Sequence, residues 1–317
     1  MCSRAEFRLP LYLSKGAVMN LRERLESDAF IVTAEMGPPQ SAGHGVIRKK
    51  AAHFTRVDGV NITDNQTGIV RLSSIAAARI CLEEGLEPVI QVTCRDRNRI
   101  AIQSDLLGAA AMGIENILCL TGDYPTFGDH PEARPVYDLD SIQLIALVSA
   151  MNEGTLLSGQ KLKTATRYLI GGAANPFARP LDARILRLKK KISNGARFIQ
   201  TQPVFDLPAF HQWVERVRQE GLNEKAALLA GVMPVKSVRA LTFMRDQVPG
   251  MRVHPDCISR MASAKDPEEE GVRMAVETIN RLRETPGIRG IHLMPLLWES
   301  ITPVILEKSN LARRTEP

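Results

Sequence analysis

The chain has 317 residues, 44% of them hydrophobic, 24% charged and 5% aromatic, with a formal net charge of +6. That length suits two domains or one large α/β barrel; no apolar run reaches membrane-spanning length, and the sparse aromatics argue against a nucleic-acid stacking platform, so a small anionic ligand is the partner the charge fits. Five cysteines without CxxC spacing, and an N-terminus without a continuous apolar core, argue against a disulfide scaffold, a structural zinc site and a signal peptide, and a cytoplasmic location is expected.

After a helix-spaced stretch over 18–28, residues 30–40 (FIVTAEMGPPQ) read as a buried strand that hands Glu35 to a stiff turn of one glycine and two prolines. A helix over 45–54 leads to a strand over 57–63 and the turn DNQTG. An Ala-rich helix over 70–84, stopped by Gly85, leads to a strand over 88–93, and a helix over 97–112 to a strand over 116–121 that opens into Gly122, Asp123, Tyr124 and Pro125. The unit recurs: a helix over 140–151, a strand over 167–172, a basic amphipathic helix over 181–194, a strand over 198–202, a helix over 209–220 and a strand over 227–233. Helices over 236–247 and 266–283, with a short turn around Cys257 between them, precede a strand over 288–294 and a final helix over 302–309.

Eight strands alternating with helices predict parallel βαβ units closed into a (β/α)8 TIM barrel. It is expected as a single domain over 1–317, with its core at about 21–311, an extension at 1–20 and an extra C-terminal helix. An open doubly wound sheet would carry a glycine-rich phosphate loop after its first strand, and MGPPQ stands there instead.

A barrel of this kind keeps its active site at the C-terminal ends of its strands. Those ends are Glu35, Thr63 with Asp64, Thr93, Thr121 with Asp123, Gly172 to Asn175, Gln200 with Gln202, Met233 with Pro234, and Met294. The set is polar, acidic and rich in amides, and it contains no histidine. The six histidines are scattered, which argues against a zinc site or a Ser-His-Asp triad. Cys94 and Cys119 read as small buried hydrophobes. One or two acids with several amides can assist proton transfer, and redox chemistry there needs a cofactor.

The segments AEMGPP at 34–39, ITDNQTG at 62–68, LTGDYP at 120–125 and FIQTQPVFD at 198–206 together resemble the methylenetetrahydrofolate reductase family, in order and spacing from about residue 21 to 311. TDNQT and the WES at 298–300 are similar to the short reductases of the acetyl-CoA pathway type. The resemblance implies a flavin-dependent barrel of one-carbon metabolism. Such a barrel reduces 5,10-methylenetetrahydrofolate to 5-methyltetrahydrofolate, with FAD or FMN bound and NADH or NADPH as electron donor.

By the same resemblance Glu35 is the general acid, a role that calls for a desolvated pocket. Asp123 is the carboxylate near flavin and pterin, and Gln202 the amide that binds the pterin. The flavin would be held by Thr63, Gln91, Thr121, Gly122, Asp123, Tyr137, Asp140, Gly172, Ala174, Asn175 and Lys191. For Lys191 the residues leave two readings, a phosphate partner or part of a solvated basic helix face. The chain departs from the better-known bacterial FAD enzymes in having Gln91 for histidine, Thr121 for arginine, Val238 for an aromatic over the substrate and Trp298 for arginine.

Two functional readings stand side by side. One is a complete reductase fed by a nicotinamide cofactor, expected as a homo-oligomer. The other is a folate- and flavin-binding subunit fed by a zinc or iron-sulfur partner, since the chain has no cysteine cluster of its own. A barrel that binds folate without flavin is a third, weaker reading.

Overall fold

A computed structural model describes residues 19–311, so Cys2 and most of the expected N-terminal extension lie outside the described residues. The fold begins with α1 (Leu21–Glu26), started by a capping box in which Asn20 and Glu23 satisfy each other's backbone N–H. Strand and helix then alternate through β1 (Ile31–Met36), α2 (His44–Ala51), β2 (Gly59–Ile62), α3 (Ser74–Glu83), β3 (Pro88–Thr93), α4 (Arg99–Ala111) and β4 (Asn116–Leu120). The alternation continues with α5 (Ser141–Asn152), β5 (Leu169–Ala174), α6 (Leu181–Ser193), β6 (Phe198–Pro203), α7 (Leu207–Gln219) and β7 (Ala227–Val232). Three helices, α8 (Val238–Gln247), α9 (Pro255–Ser263) and α10 (Pro267–Arg283), precede β8 (Gly290–Leu293), and α11 (Thr302–Lys308) follows it.

The eight strands close into the expected parallel barrel, with β8 returning to β1. Four helices begin where a side chain caps them in this way: Ser73, Asn98, Asp206 and Ser237, before α3, α4, α7 and α8, each accept from a backbone N–H of the first turn. These caps set α3, α4 and α8 two to four residues later than hydrophobic spacing predicts, and α7 two residues earlier. The turn expected around Cys257 is instead the helix α9. Its start is fixed by Pro255 at the first helical position and by His254, whose ring accepts from the Asp256 N–H. The helix buries Met261 in a satellite core with Val235, Leu241, Met244, Val253 and Met274.

Side chains two apart on a strand share a face. The outward set, including Val32, Ala34, Met36, Ile90, Val92, Ile117, Cys119 and Ile199, is buried under the helices in the main core. Each fully buried aliphatic there contributes about 1.5–3 kcal/mol, so this outer layer holds the barrel and leaves the interior free to carry polar groups. The interior has an apolar floor of Ile31, Val89, Leu118, Leu169, Phe198 and Leu229, plugged by Leu21 of α1. Gly171 makes room for that floor, because a Cβ there would fall 2.2 Å from Cζ of Phe198.

Cys81, Cys94 and Cys119 are fully buried. Burial pushes the Cys81 and Cys94 thiols up to about 12 and the Cys119 thiol up as well, so all three behave as the small hydrophobes expected. Among the described residues no helix is long and apolar enough to cross a membrane.

Candidate active site

Above the floor the barrel interior turns polar. Asn61 and Gln200 exchange amide hydrogen bonds of 2.8 and 3.0 Å, and Gln200 Nε2 also donates to Thr33 Oγ1 at 3.0 Å. Gln200 therefore lies one layer below the mouth. A buried network with every member satisfied is rigid, and this one carries the groups that end in the mouth.

Register places Thr33 opposite His292 across the β1–β8 seam. His292 Nδ1 lies 3.0 Å from Thr33 Oγ1, and its Nε2 lies 3.9 Å from Glu35 Oε2. The expectation of a histidine-free mouth is thereby corrected. Alternation along β8 turns Gly290 and His292 inward, and the same alternation, counted back two residues from Met294, was available in IRGIHLM. Because the Thr33 hydroxyl can rotate between Nδ1 and the Ile291 carbonyl at 3.4 Å, the imidazole can exchange tautomers without moving.

Glu35 is held from the other side by amides. Its Oε1 accepts from Gln66 Nε2 at 3.1 Å and its Oε2 from Gln91 Nε2 at 3.3 Å. An amide presents N–H or C=O by turning over, so this setting accommodates the carboxyl with or without its proton. The side chain is 14% exposed, which shields it while leaving it reachable from the mouth.

Gln66 reaches Glu35 because the loop after β2 is tightly wound. Asn65 and Thr67 both adopt left-handed backbone, at φ 43° and 57°; Asn tolerates this, whereas a β-branched Thr does so at a cost of about 1–3 kcal/mol. The loop is tied down by Asp64, which accepts from the Thr93 N–H at 2.9 Å and its hydroxyl at 3.0 Å and pairs with Arg97. Burial pushes the Asp64 carboxyl up, against the downward pull of Arg97. Arg95, 2% exposed, pairs with Asp96 and donates to the carbonyls of Asn65 at 2.9 Å and Asp123 at 3.4 Å, fastening the β2 loop to the β4 loop. The two loops also meet at glycines, for a Cβ on Gly128 would sit 2.1 Å from the Gly68 carbonyl oxygen.

Along the β4 loop, Thr121 Oγ1 accepts from the Ser141 N–H at 3.1 Å, Gly122 has φ 93°, and the Tyr137 hydroxyl donates to the Asp123 carbonyl at 2.9 Å. Tyr124 stacks on Tyr137 with ring centroids 6.2 Å apart, and Asp123 is exposed at the rim. Asp140 caps α5 through the Ile142 and Gln143 N–H groups and faces Arg187 at 3.5 Å. Asn175 accepts from Phe177 and Ala178 N–H and donates to the Gly250 carbonyl at 3.1 Å, so its amide shapes its own loop. Gly172 faces the helix layer, where a Cβ would meet Ile145 and Lys191 at 3.3 and 3.4 Å.

Lys191 does not belong to a solvated face. It is buried, its Nζ donates to the Ala173 carbonyl at 2.6 Å, and burial depresses its ammonium to about 8. It lines a cavity of about 220 Å³ together with Thr121, Ala174, Asn175, Arg187 and Gln202. Thr121 and Arg187 also line an opening of about 660 Å³ walled by Gly122, Tyr124, Tyr137, Leu139 and Leu186. Two buried polar atoms nearby have no hydrogen-bond partner among the described residues, Thr63 Oγ1 at the end of β2 and Arg184 Nε on α6. Thus Glu35, Gln91 and Gln66 converge in the mouth with His292 one layer below, while Thr121, Gly122, Tyr137, Ala174, Lys191 and Gln202 border the two cavities beside it.

A closed parallel barrel whose strand ends bring a carboxyl, an imidazole and amides together is a (β/α)8 scaffold with its polar groups gathered at the C-terminal mouth, the end at which such barrels carry their active sites. The family model for methylenetetrahydrofolate reductase matches residues 20–310, and the chain belongs to that family. It is 27% identical to methylenetetrahydrofolate reductase 2 of Saccharomyces cerevisiae over 270 residues, 80% of this chain and 42% of that protein. It is 24% identical to the 5,10-methylenetetrahydrofolate reductase of Salmonella typhimurium over 221 residues, 67% of this chain and 66% of that protein. The chain therefore spans less than half the length of the yeast relatives. A solved structure from Clostridium thermocellum, of an uncharacterized protein described as binding two copies of 5-methyl-5,6,7,8-tetrahydrofolic acid, shares the fold at 16% identity and TM-score 0.66, covering 92% of this chain and 99% of that one.

Proposed function

We propose that this chain catalyses the flavin-dependent reduction of 5,10-methylenetetrahydrofolate to 5-methyltetrahydrofolate in the cytoplasm, with Glu35 as proton donor. The observation that carries the reading is the Glu35 carboxyl held between the Gln66 and Gln91 amides with His292 behind it, in the mouth of a barrel of this family.

The residues beside the mouth fit a flavin. The unpartnered Thr63 hydroxyl offers a hydrogen bond at a strand end, and Arg184, Arg187 and Lys191, three and four apart on α6, present cations on one helix face for phosphate. The opening of about 660 Å³, with its tyrosines and leucines, suits an adenine, which favours FAD over FMN. When bound, the flavin supplies the hydride. Asp140, Gly172 and Asn175 serve the reading as scaffold, holding α5, the helix packing and the β5 loop in place.

The chain's own part is proton placement and charge. Gln202 orients the pterin through its paired donor and acceptor. Glu35 delivers its proton to one nitrogen of the methylene bridge, and that carbon–nitrogen bond opens to an iminium on the other nitrogen. The Asp123 carboxylate at the rim stabilises the cation electrostatically. Between turnovers the Glu35 carboxylate takes its proton back from solvent at the mouth, with His292 Nε2, 3.9 Å from Oε2, able to relay it.

The purified chain is expected to be yellow, with FAD in the extracted cofactor, and to oxidise NADH or NADPH with menadione as acceptor. A colourless protein that neither FAD nor FMN reconstitutes would overturn the reading. Flavin binding without nicotinamide oxidation, restored by a zinc or iron-sulfur partner protein, would instead identify the chain as the folate subunit of a complex.

A further inference from the structure

Between the apolar floor and the mouth, the barrel interior holds four polar side chains cut off from solvent: Thr33 and Asn61 are 0% exposed, Gln200 and His292 3%. With no water to fall back on, each proton in this layer has its destination inside the protein. Gln200 Nε2 donates to Asn61 Oδ1 and to Thr33 Oγ1, both at 3.0 Å, while its Oε1 accepts from Asn61 Nδ2 at 2.8 Å. Thr33 therefore accepts from Gln200 and has a single proton to give. His292 Nδ1 at 3.0 Å is nearer to it than the Ile291 carbonyl at 3.4 Å, and a hydroxyl that already accepts is the stronger donor. The hydroxyl proton goes to Nδ1, which leaves the ring's own proton on Nε2, the nitrogen on the Glu35 side.

Every donor then points the same way, from Gln200 to Thr33 to His292 and, through one water across 3.9 Å, to Glu35 Oε2. The reciprocal amide pair has a second arrangement. If both amides turn over, their two mutual bonds are kept, but Gln200 then offers Oε1 to Thr33. The hydroxyl donates to that oxygen, Nδ1 carries the ring proton, and Nε2 faces Glu35 bare. We propose that the Asn61–Gln200 pair is a positioning element that decides which nitrogen of His292 carries the proton, and that it holds Nε2–H toward Glu35. With Glu35 as proton donor, the reading above on which this rests, an Nε2–H faces the carboxylate that remains once the proton has been delivered. A bare Nε2 would instead compete with the folate nitrogen for that proton. Gln200 lies one layer below the mouth and acts only through Thr33 and His292.

The test is nitrogen NMR of the full chain labelled with 15N-histidine, in alkaline buffer, with His292→Asn assigning the ring signals by their loss. In the wild type Nε2 is expected to be protonated and Nδ1 bare. Gln200→Glu places an acceptor-only carboxylate against Thr33, so the two nitrogens are expected to exchange roles. In that variant the folate half-reaction should slow by about tenfold with KM for folate little changed, while the nicotinamide half-reaction keeps its rate. Gln200→Met removes the donor without adding charge and is expected to populate both tautomers, which keeps the comparison open if the carboxylate variant does not fold. A wild-type His292 protonated on Nδ1, or one tautomer common to the wild type and the folded Gln200 variants, overturns the proposal. A tautomer that exchanges as expected in a chain that reduces no folate upholds the control of His292 and overturns the folate reading instead.

Discussion

His292 Nε2 stands 3.9 Å from Glu35 Oε2, beyond a direct hydrogen bond and within reach through one water. The two side chains come from opposite ends of the sequence and meet only across the seam where β8 pairs with β1. The carboxyl lies nearer the mouth and the imidazole one layer below, the order that the proposed roles of proton donor and proton reserve require.

Glu35→Gln preserves shape and can still bond both neighbouring amides. It is expected to retain flavin and nicotinamide oxidation while folate reduction falls by about 10²–10⁴-fold, the usual reach of a positioned acid. Separate stopped-flow measurement of the two half-reactions checks this; unchanged rates in both would show that the proton comes from elsewhere.

His292→Asn removes the reserve and leaves the donor. We expect kcat for folate reduction to fall by about tenfold with KM for folate little changed, and the pH profile of that half-reaction to move while the nicotinamide half-reaction keeps its own. A parallel loss in both half-reactions would assign His292 to barrel packing alone.

Lys191 sets a pH dependence of two kinds. Its ammonium is depressed from an ordinary value near 10.5 to about 8, so the unfolded chain holds that proton to higher pH than the folded one. The charged lysine then costs the flavin-free protein stability below pH 8, on the order of 3 kcal/mol, and the penalty fades as pH rises from about 8 to 10.5. Lys191→Met is therefore expected to be the more stable apoprotein at pH 7 in urea, with the difference closing toward pH 10. In flavin titrations the wild type should lose affinity as pH rises through 8, and the variant should be weak throughout.

Gly128→Ala drives a methyl into the Gly68 carbonyl, and backbone on both sides leaves nowhere for it to go. About 1–3 kcal/mol of stability should be lost. Flavin affinity should fall with it, since the loops of Gln66 and Asp123 separate. Thermal melts with and without added FAD distinguish this from a local change that leaves the loops in register.

Most of the barrel was legible because its strands are short apolar runs punctuated by glycine, and because Glu35 and Thr121 end such runs. His292 escaped because the last strand's end was taken only at Met294, whereas counting back two residues, as from Gln202 to Gln200, reaches the second layer. The run of three lysines left Lys191 with two readings, a phosphate partner or a solvated face, and the second fails because Lys191 lies three residues beyond Leu188 and six beyond Ile185, on the buried face of α6. Asp140 and Asn175 have the right chemistry for a ligand, and the local backbone uses it first, as a helix cap and a loop turn. Gln66 sat within a recognised motif, but its reach toward Glu35 depends on left-handed backbone at Asn65 and Thr67, which no side-chain pattern dictates.

The meeting of the first and last strands has a consequence for biogenesis. Thr33 and His292 are 259 residues apart in the chain, so the proton-handling group is assembled by one of the longest-range contacts in the protein. A nascent chain that has emerged only through β7 lacks β8 and with it His292. It cannot present the Glu35–His292 pair. On the proposed reading, folate reduction is therefore expected only once the ring is sealed.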